Sequence, residues 1–314
     1  MQQRDFSEKR VLISGGAGFL GSFVVERFEQ IGADVVVVRS KNHDLCDKTQ
    51  TEKLLESVRP HWVIHCAVDG GGIGYMRAHP AQIVHRNLLM NTHLLHAAFQ
   101  ADVEGFLGVS SICAYPRNAP MPLRESMLFD GYPEPSNAGY GLSKRMMMEM
   151  GRAYHQEFGF NALFPMPVNL YGPRDDFSEE RSHVVPALIR RFLEAKQMGV
   201  DEVLVWGSGK ATRELLYVED CADAIVAMAQ HANGVEPVNI GTGVETSIGN
   251  LAHSIAKACG YTGRLVFDGT KPEGQPRKCL DVSEAQSRFG WSAHVDLDEG
   301  LRRTVAWYQS QQSC

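Results

Sequence analysis

The chain has 314 residues, 44% of them hydrophobic and 22% charged, with 30 Gly and 14 Pro. This is globular composition with length for a large core, one large domain or two smaller ones at about 150 residues each, and it excludes disorder, collagen and a small disulfide scaffold. A formal net charge of −6 speaks against a nucleic-acid partner, which normally meets a basic excess.

The first element is a strand at Val11-Leu12-Ile13, followed by Ser14-Gly15-Gly16-Ala17-Gly18-Phe19-Leu20-Gly21 and a helix over 19–31. Glycines at 15, 18 and 21 between a strand and a helix allow a tight turn and close approach of a pyrophosphate to helix N–H groups. The turn therefore predicts a dinucleotide, with Gly15, Gly18, Phe19, Leu20 and Gly21 around it. The second strand, 35–38, runs into Arg39-Ser40-Lys41, where an acidic residue would suit the free ribose of NAD. Cations there suit a 2′-phosphate and favour NADP(H); the plainer alternative is a solvated charge pair at a strand end. Asp44 and Leu45 are counted with Arg39 and Lys41 as cofactor contacts.

A helix over 47–58, a strand at 62–64, a helix over 79–99 and a strand at 105–109 follow. Apolar strands alternating with amphipathic helices predict an α/β fold with a doubly wound parallel sheet. Ser111 stands at the end of the fourth strand. Tyr140-Gly141-Leu142-Ser143-Lys144 lies on a helix over 136–157, which puts Tyr140 and Lys144 on one face. A phenol is a poor acid or base near neutrality, with an ordinary pKa of about 10. A neighbouring ammonium is expected to bring Tyr140 toward working range, with Ser111 as a second donor to a substrate carbonyl. The methionine run 146–148 on that helix reads as core or as a surface between copies.

After a strand at 162–165 the rhythm loosens into a helix over 184–197, strands at 203–206 and 214–217, helices over 247–258 and 297–310, and short strands near 238–240 and 265–267. This reads as a smaller, interrupted second lobe: residues 1–170 and 215–244 form the cofactor domain, and 171–214 and 245–314 a discontinuous α/β substrate lobe. The site is expected between them. No apolar run reaches the roughly 18 residues of a spanning helix, and the start Met1–Phe6 has no apolar stretch, so the expectation is a cytoplasmic protein without a membrane partner. The seven cysteines (46, 66, 113, 221, 259, 279 and 314) lack a CxxC pair and read as free thiols, with no metal centre expected.

Taken together, the glycine turn, Ser110-Ser111-Ile112-Cys113-Ala114-Tyr115-Pro116, Tyr140 to Lys144, Asn169-Leu170-Tyr171-Gly172-Pro173, the run from Ser182-His183 to Arg191-Phe192, Val205-Trp206-Gly207-Ser208-Gly209, the run Arg213 to Asp220 and Pro276-Arg277-Lys278-Cys279-Leu280-Asp281 resemble the extended short-chain dehydrogenase/reductase family in its nucleotide-sugar branch. The likeness covers nearly the whole chain and is strongest to the GDP-4-keto-6-deoxymannose epimerase/reductases. It implies a Rossmann cofactor domain, NADP(H), a GDP-linked 4-keto sugar as substrate, and a homodimer through helices of the cofactor domain, here 79–99 and 136–157. It assigns Ser111, Tyr140 and Lys144 to reduction, Cys113 and His183 to proton exchange beside the ketone, and Tyr140, Lys144 and His183 also to the cofactor. A thiol and an imidazole both titrate near neutrality, which suits that exchange. For Cys113 the plainer reading is a small buried hydrophobe, and for His183 a helix cap.

Asn169, Arg191, Trp206, Arg213 and Lys278 are assigned to the nucleotide sugar, the cations to its pyrophosphate; Arg190 reads as a solvated neighbour. The loop Ala67 to Met76, with glycines at 70–72 and 74, instead resembles the GDP-mannose 3,5-epimerases, and is expected to approach cofactor and sugar closely. Two further enzymatic alternatives therefore stand: an epimerase with tightly held NAD and no net redox change, and a reductase of a GDP-4-keto-deoxyheptose. A non-catalytic NADP-binding regulator would have no use for the Tyr140/Lys144 pair.

Overall fold

The computed structural model describes residues 3–271 and 274–312. Met1 and Gln2 of the amino-terminal reading, and Cys314 of the thiol set, lie outside the described residues. The apolar runs form β1 (Arg10–Ser14), which leads into α1 (Phe19–Gln30), then β2 (Asp34–Val38), α2 (Lys48–Val58) and β3 (Trp62–His65). After α3 (Ile73–Ala78) and α4 (Pro80–Gln100) come β4 (Gly105–Gly108), α5 (Ala138–Phe158) and β5 (Ala162–Leu163). The five strands make one parallel sheet in the order β2-β1-β3-β4-β5. Val11, Leu12, Ile13, Val63, Ile64, Phe106 and Leu107 are fully buried, as expected of strands covered by helices on both faces. Strand order reverses at β1, which places a crevice at the carboxyl ends of β1 and β3.

Two details in this part of the chain differ from the sequence reading. The stretch expected as a glycine loop continues into α3, and Pro80 then opens α4 at its first turn, where a missing N–H costs nothing. The strand expected at 162–165 is split: β6 (Pro165–Pro167) follows β5 and pairs with a later strand, while the Pro165 carbonyl accepts from Ser110 N at 2.8 Å, so the sheet line continues across the break.

The remainder comprises β7 (Asn169–Tyr171), α6 (Val184–Met198), β8 (Glu202–Trp206), β9 (Thr212–Tyr217), α7 (Val218–His231), β10 (Val238–Ile240), β11 (Glu245–Ser247), α8 (Ile248–Cys259), β12 (Arg264–Asp268), α9 (Ser283–Phe289) and α10 (Leu297–Gln312). β10 pairs with β6, β9 lies between β11 and β7, and β12 pairs with β8. Two hydrophobic cores result. One joins the large sheet with α7 and α9; the other packs Val185, Ile189 and Phe192 of α6 against Leu251 and Ile255 of α8 and Leu301 of α10. The six described cysteines are free thiols, and no described helix is long and apolar enough to cross a membrane.

Candidate active site

A cleft of about 1400 Å³ runs between the two cores along the carboxyl ends of β1, β3 and β4. Single-ligand pockets span roughly 300–1,000 Å³, so the cleft has room for two ligands side by side. Every residue that the sequence assigns to cofactor, catalysis or substrate lines it.

At one end lies the glycine turn. Gly15 has φ +70, and a Cβ there would come within 2.7 Å of the Ala67 backbone; at Gly21 it would lie 2.1 Å from the Gly15 carbonyl. α1 begins at Phe19 with no side-chain cap and no acidic residue in its first turn, which leaves its N–H groups and dipole to an anion. The cradle thus fits a dinucleotide pyrophosphate. Arg39 and Lys41 are exposed on its rim with no ion pair among the described residues, a placement suited to a further phosphate. Asp44 accepts from Cys46 N at 3.0 Å and shapes the turn, and Leu45 is buried beneath it.

Tyr140 and Lys144 face the middle of the cleft from α5. The Ser111 hydroxyl hydrogen-bonds to Tyr140, and the Lys144 ammonium lies 5.8 Å from the Tyr140 ring centre and donates to the Val109 carbonyl at 2.7 Å. The expected lowering of the phenol is overturned. Burial outweighs the Ser111 hydrogen bond and pushes Tyr140 up, while the same burial brings Lys144 down to about 8. Tyr140 is therefore a proton donor by default, flanked by an ammonium close to its own titration.

Cys113 follows on the short turn after Ser111, half-buried, its N–H donating to the Ser111 hydroxyl at 3.2 Å. Asn137 Nδ2 donates to its sulfur at 3.2 Å, and Lys278 Nζ lies 3.7 Å from the same atom. Two donors on one half-buried sulfur do not describe a buried hydrophobe. His183 precedes α6 on the opposite wall and makes no capping hydrogen bond, which removes the cap alternative. Its ring is open to the cleft, yet the surrounding protein lowers its pKa, against the pull of Asp176.

At the far end Trp206 is 49% exposed, with the Arg191 guanidinium 5.5 Å and the Lys271 ammonium 6.0 Å from its ring centre. Arg213 and Asn169 lie beside it on β9 and β7, Arg213 donating to the Thr212 carbonyl and Asn169 to that of Glu214. Arg190 is not a solvated neighbour: its side chain is only 16% exposed, lines the cleft and pairs with Glu179 at 3.2 Å. Gly70, Gly71, Gly72 and Gly74 line the cleft, and the run also meets the loop before α6, where Gly72 N donates to the Arg181 carbonyl at 2.8 Å. A Cβ at Gly72 would lie 2.3 Å from the Ser182 carbonyl, whereas Gly74 has open space around it.

Several functional groups went unread in the sequence. Asp175 lines the cleft with one carboxylate oxygen buried and without a partner, and burial raises it to about 7. Asn137 carried no signal, because its role depends on a turn 24 residues away from Cys113. A buried chain runs from Ser14 Oγ to His65 Nδ1 at 2.6 Å, from His65 Nε2 to Asn91 Oδ1 at 2.9 Å, and from Asn91 Nδ2 to the Ser143 carbonyl at 3.1 Å. Burial holds His65 down at about 3, so the ring is neutral, accepting from Ser14 and donating to Asn91. This chain ties the phosphate end of β1 to the helix turn that carries Lys144. The position of His65 at the end of a strand was the only hint in the sequence.

Residues 11–241 match the NAD dependent epimerase/dehydratase family. The chain is 39% identical to GDP-L-fucose synthase 1 of Arabidopsis thaliana over 95% of this chain and 93% of that protein. A GDP-L-fucose synthetase from Naegleria fowleri, solved with NADP bound, superposes with a TM-score of 0.90 at 28% identity, covering 99% of this chain and 98% of the other. A GDP-6-OMe-4-keto-L-xylo-heptose reductase from C. jejuni superposes with a TM-score of 0.91 at 26% identity, over 98% of this chain and 99% of the other. The chain belongs to the NAD dependent epimerase/dehydratase family, among the extended short-chain dehydrogenases/reductases.

Proposed function

We propose that the protein is an NADPH-dependent epimerase/reductase of a GDP-linked 4-keto-6-deoxy sugar, working in the cytoplasm as a homodimer. The observation that carries this reading is the joining of two chemistries on one cleft wall: Cys113, with two donors on its sulfur, stands two residues from Ser111, which bonds the Tyr140 hydroxyl. His183 faces them from the other lobe. Proton exchange at the carbons flanking a ketone needs groups on opposite faces of the ring, which Cys113 and His183 supply. Ser111 and Tyr140 hydrogen-bond the ketone oxygen and stabilise the enolate that forms.

Bound NADPH supplies the reducing equivalent to the ketone carbon. Tyr140 delivers the proton to the oxygen, and Lys144 holds the cofactor ribose. Arg191 and Arg213 hold the pyrophosphate of the sugar nucleotide, with Trp206 against the base and Asn169 against the sugar. The structural likeness to a GDP-heptose reductase favours a second substrate, a GDP-4-keto-heptose, on the same residues.

Purified protein incubated with GDP-4-keto-6-deoxymannose and NADPH in deuterated buffer tests the proposal. NADPH is expected to be consumed in step with product, with deuterium at C3 and C5 by NMR. Turnover without NADPH consumption would overturn it in favour of the redox-neutral epimerase.

A further inference from the structure

We infer that Lys278 is the charge partner of Cys113, a positioning residue that keeps its sulfur as the thiolate that takes the proton beside the ketone. The inference deepens the epimerase/reductase reading and rests on it. Lys278 was assigned to the substrate pyrophosphate because cations suit phosphates, but its ammonium is placed against the reacting sulfur, 3.7 Å from Cys113 Sγ. Asn137 approaches the same sulfur at 3.2 Å. Among the described residues no carboxylate pairs with Lys278, so its charge is directed to sulfur and not neutralised elsewhere.

The backbone that delivers this ammonium is fixed from both lobes. Glu214 N donates to the Lys278 carbonyl at 3.1 Å, Leu280 N donates to Glu214 Oε2 at 2.6 Å, and Leu123 N donates to the Cys279 carbonyl at 2.8 Å. Only the four-carbon stem of Lys278 is free to adjust. Tyr140 also faces Cys113, and burial first, with a negative sulfur second, holds its phenol in the protonated form. A thiolate compensated by Lys278 therefore coexists with a Tyr140 that still has its proton for the later reduction.

In the exchange step the thiolate forms an S–H bond as the sugar C–H bond beside the ketone breaks, and the C–H electron pair moves to leave an enolate oxygen. His183, protonated transiently from solvent, delivers that proton to the opposite face of the same carbon. The thiol and the neutral imidazole then re-equilibrate with water before the second carbon is processed.

The test uses the NADP-loaded wild type and the variants Lys278→Met, Lys278→Gln and Lys278→Arg. Iodoacetamide labelling at pH 7, located at Cys113 by mass spectrometry, is expected to slow about tenfold or more in Lys278→Met and Lys278→Gln and to recover in Lys278→Arg. Deuterium exchange at C3 and C5 is expected to fall at least tenfold further than hydride transfer in the same two variants. Cys113 labelling equal to wild type in both neutral variants overturns the inference, and so does an equal loss of both steps with a raised sugar KM, which would return Lys278 to the pyrophosphate. Lysine-dependent labelling in a wild-type protein that exchanges no deuterium keeps the ion pair and refutes the epimerase reading instead.

Discussion

His65 sits wholly inside the protein, accepting from Ser14 and donating to Asn91, and is neutral there down to about 3. In the unfolded chain it takes up a proton below about 6.5. The folded-state pKa is lowered, so as the pH falls below 6.5 the unfolded state binds a proton that the native state refuses, and stability drops by about 1.4 kcal/mol per pH unit. Urea unfolding of wild type and His65→Gln across that range is expected to show a profile steeper by this amount in wild type; parallel pH profiles would refute it. Lys144 shows the same physics with a catalytic readout. Its ammonium is lost as pH rises through about 8, so hydride transfer is expected to fall above that value, and Lys144→Met is expected to lose on the order of 10²- to 10⁴-fold at neutral pH. A rate that stays level well above pH 8 in pre-steady-state kinetics would contradict it. Glu214 is a third such residue, fully buried, with its two carboxylate oxygens accepting from the N–H groups of Thr242, Gly243 and Leu280 at 2.6–2.8 Å. Glu214→Ala is expected to cost about 2–4 kcal/mol in urea unfolding, because donors in three places lose their acceptor.

Among elements, the most consequential contact is one between loops. Arg181, in the loop before α6, donates to the Gly70 carbonyl at 2.7 Å, stacks 4.4 Å from the Tyr75 ring centre and accepts on its carbonyl from Gly72 N at 2.8 Å. Asp69 accepts from Tyr75 at 2.9 Å and from Gln82 at 3.0 Å, which stiffens the other side of the clasp. Gly72→Ala is expected to force the Ser182 carbonyl away and displace His183, cutting C3/C5 exchange about tenfold or more while raising protease cleavage in 174–182. Unchanged exchange and cleavage would show that the clasp has no grip on His183. None of this could be read from the sequence, since Asp69, Tyr75 and Arg181 meet only through a tertiary fold. The parallel sheet was legible because strands buried on both faces must be continuously apolar, and the glycine turn because its residues act locally. The Tyr140/Lys144 pair was legible for its helical spacing, although burial reversed the expected effect on the phenol. α3 was missed because two of its neighbours in sequence, Gly71 and Gly72, read as loop. Lys278 was recognised as a site residue, but nothing local tells a lysine which of two anions it will face, and its ammonium lies 3.7 Å from Cys113 Sγ.

At the scale of the whole molecule, the net charge of −6 conceals a cleft lined by Arg39, Lys41, Arg191, Arg213 and Lys278, so bulk charge said little about the ligand. The outer faces of α4 and α5 are the expected dimer surface, and near them Phe129, Met146 and Phe158 are 43%, 56% and 54% exposed. Light scattering is expected to give twice the chain mass, and Met146→Glu to halve it; a wild-type monomer would remove the dimer from the proposal. The stretch 276–281 is hydrogen-bonded to β9 through Thr212 and Glu214 on one side and to Leu123 on the other, a ribbon of backbone shared by both lobes. Because the ribbon is tied on both sides, the place of the Lys278 ammonium beside Cys113 depends on the backbone of β9 as well as on the loop at Leu123. The separation of one nitrogen and one sulfur thereby depends on how those two backbones are aligned, so a change at Thr212 or Leu123 is felt at that sulfur.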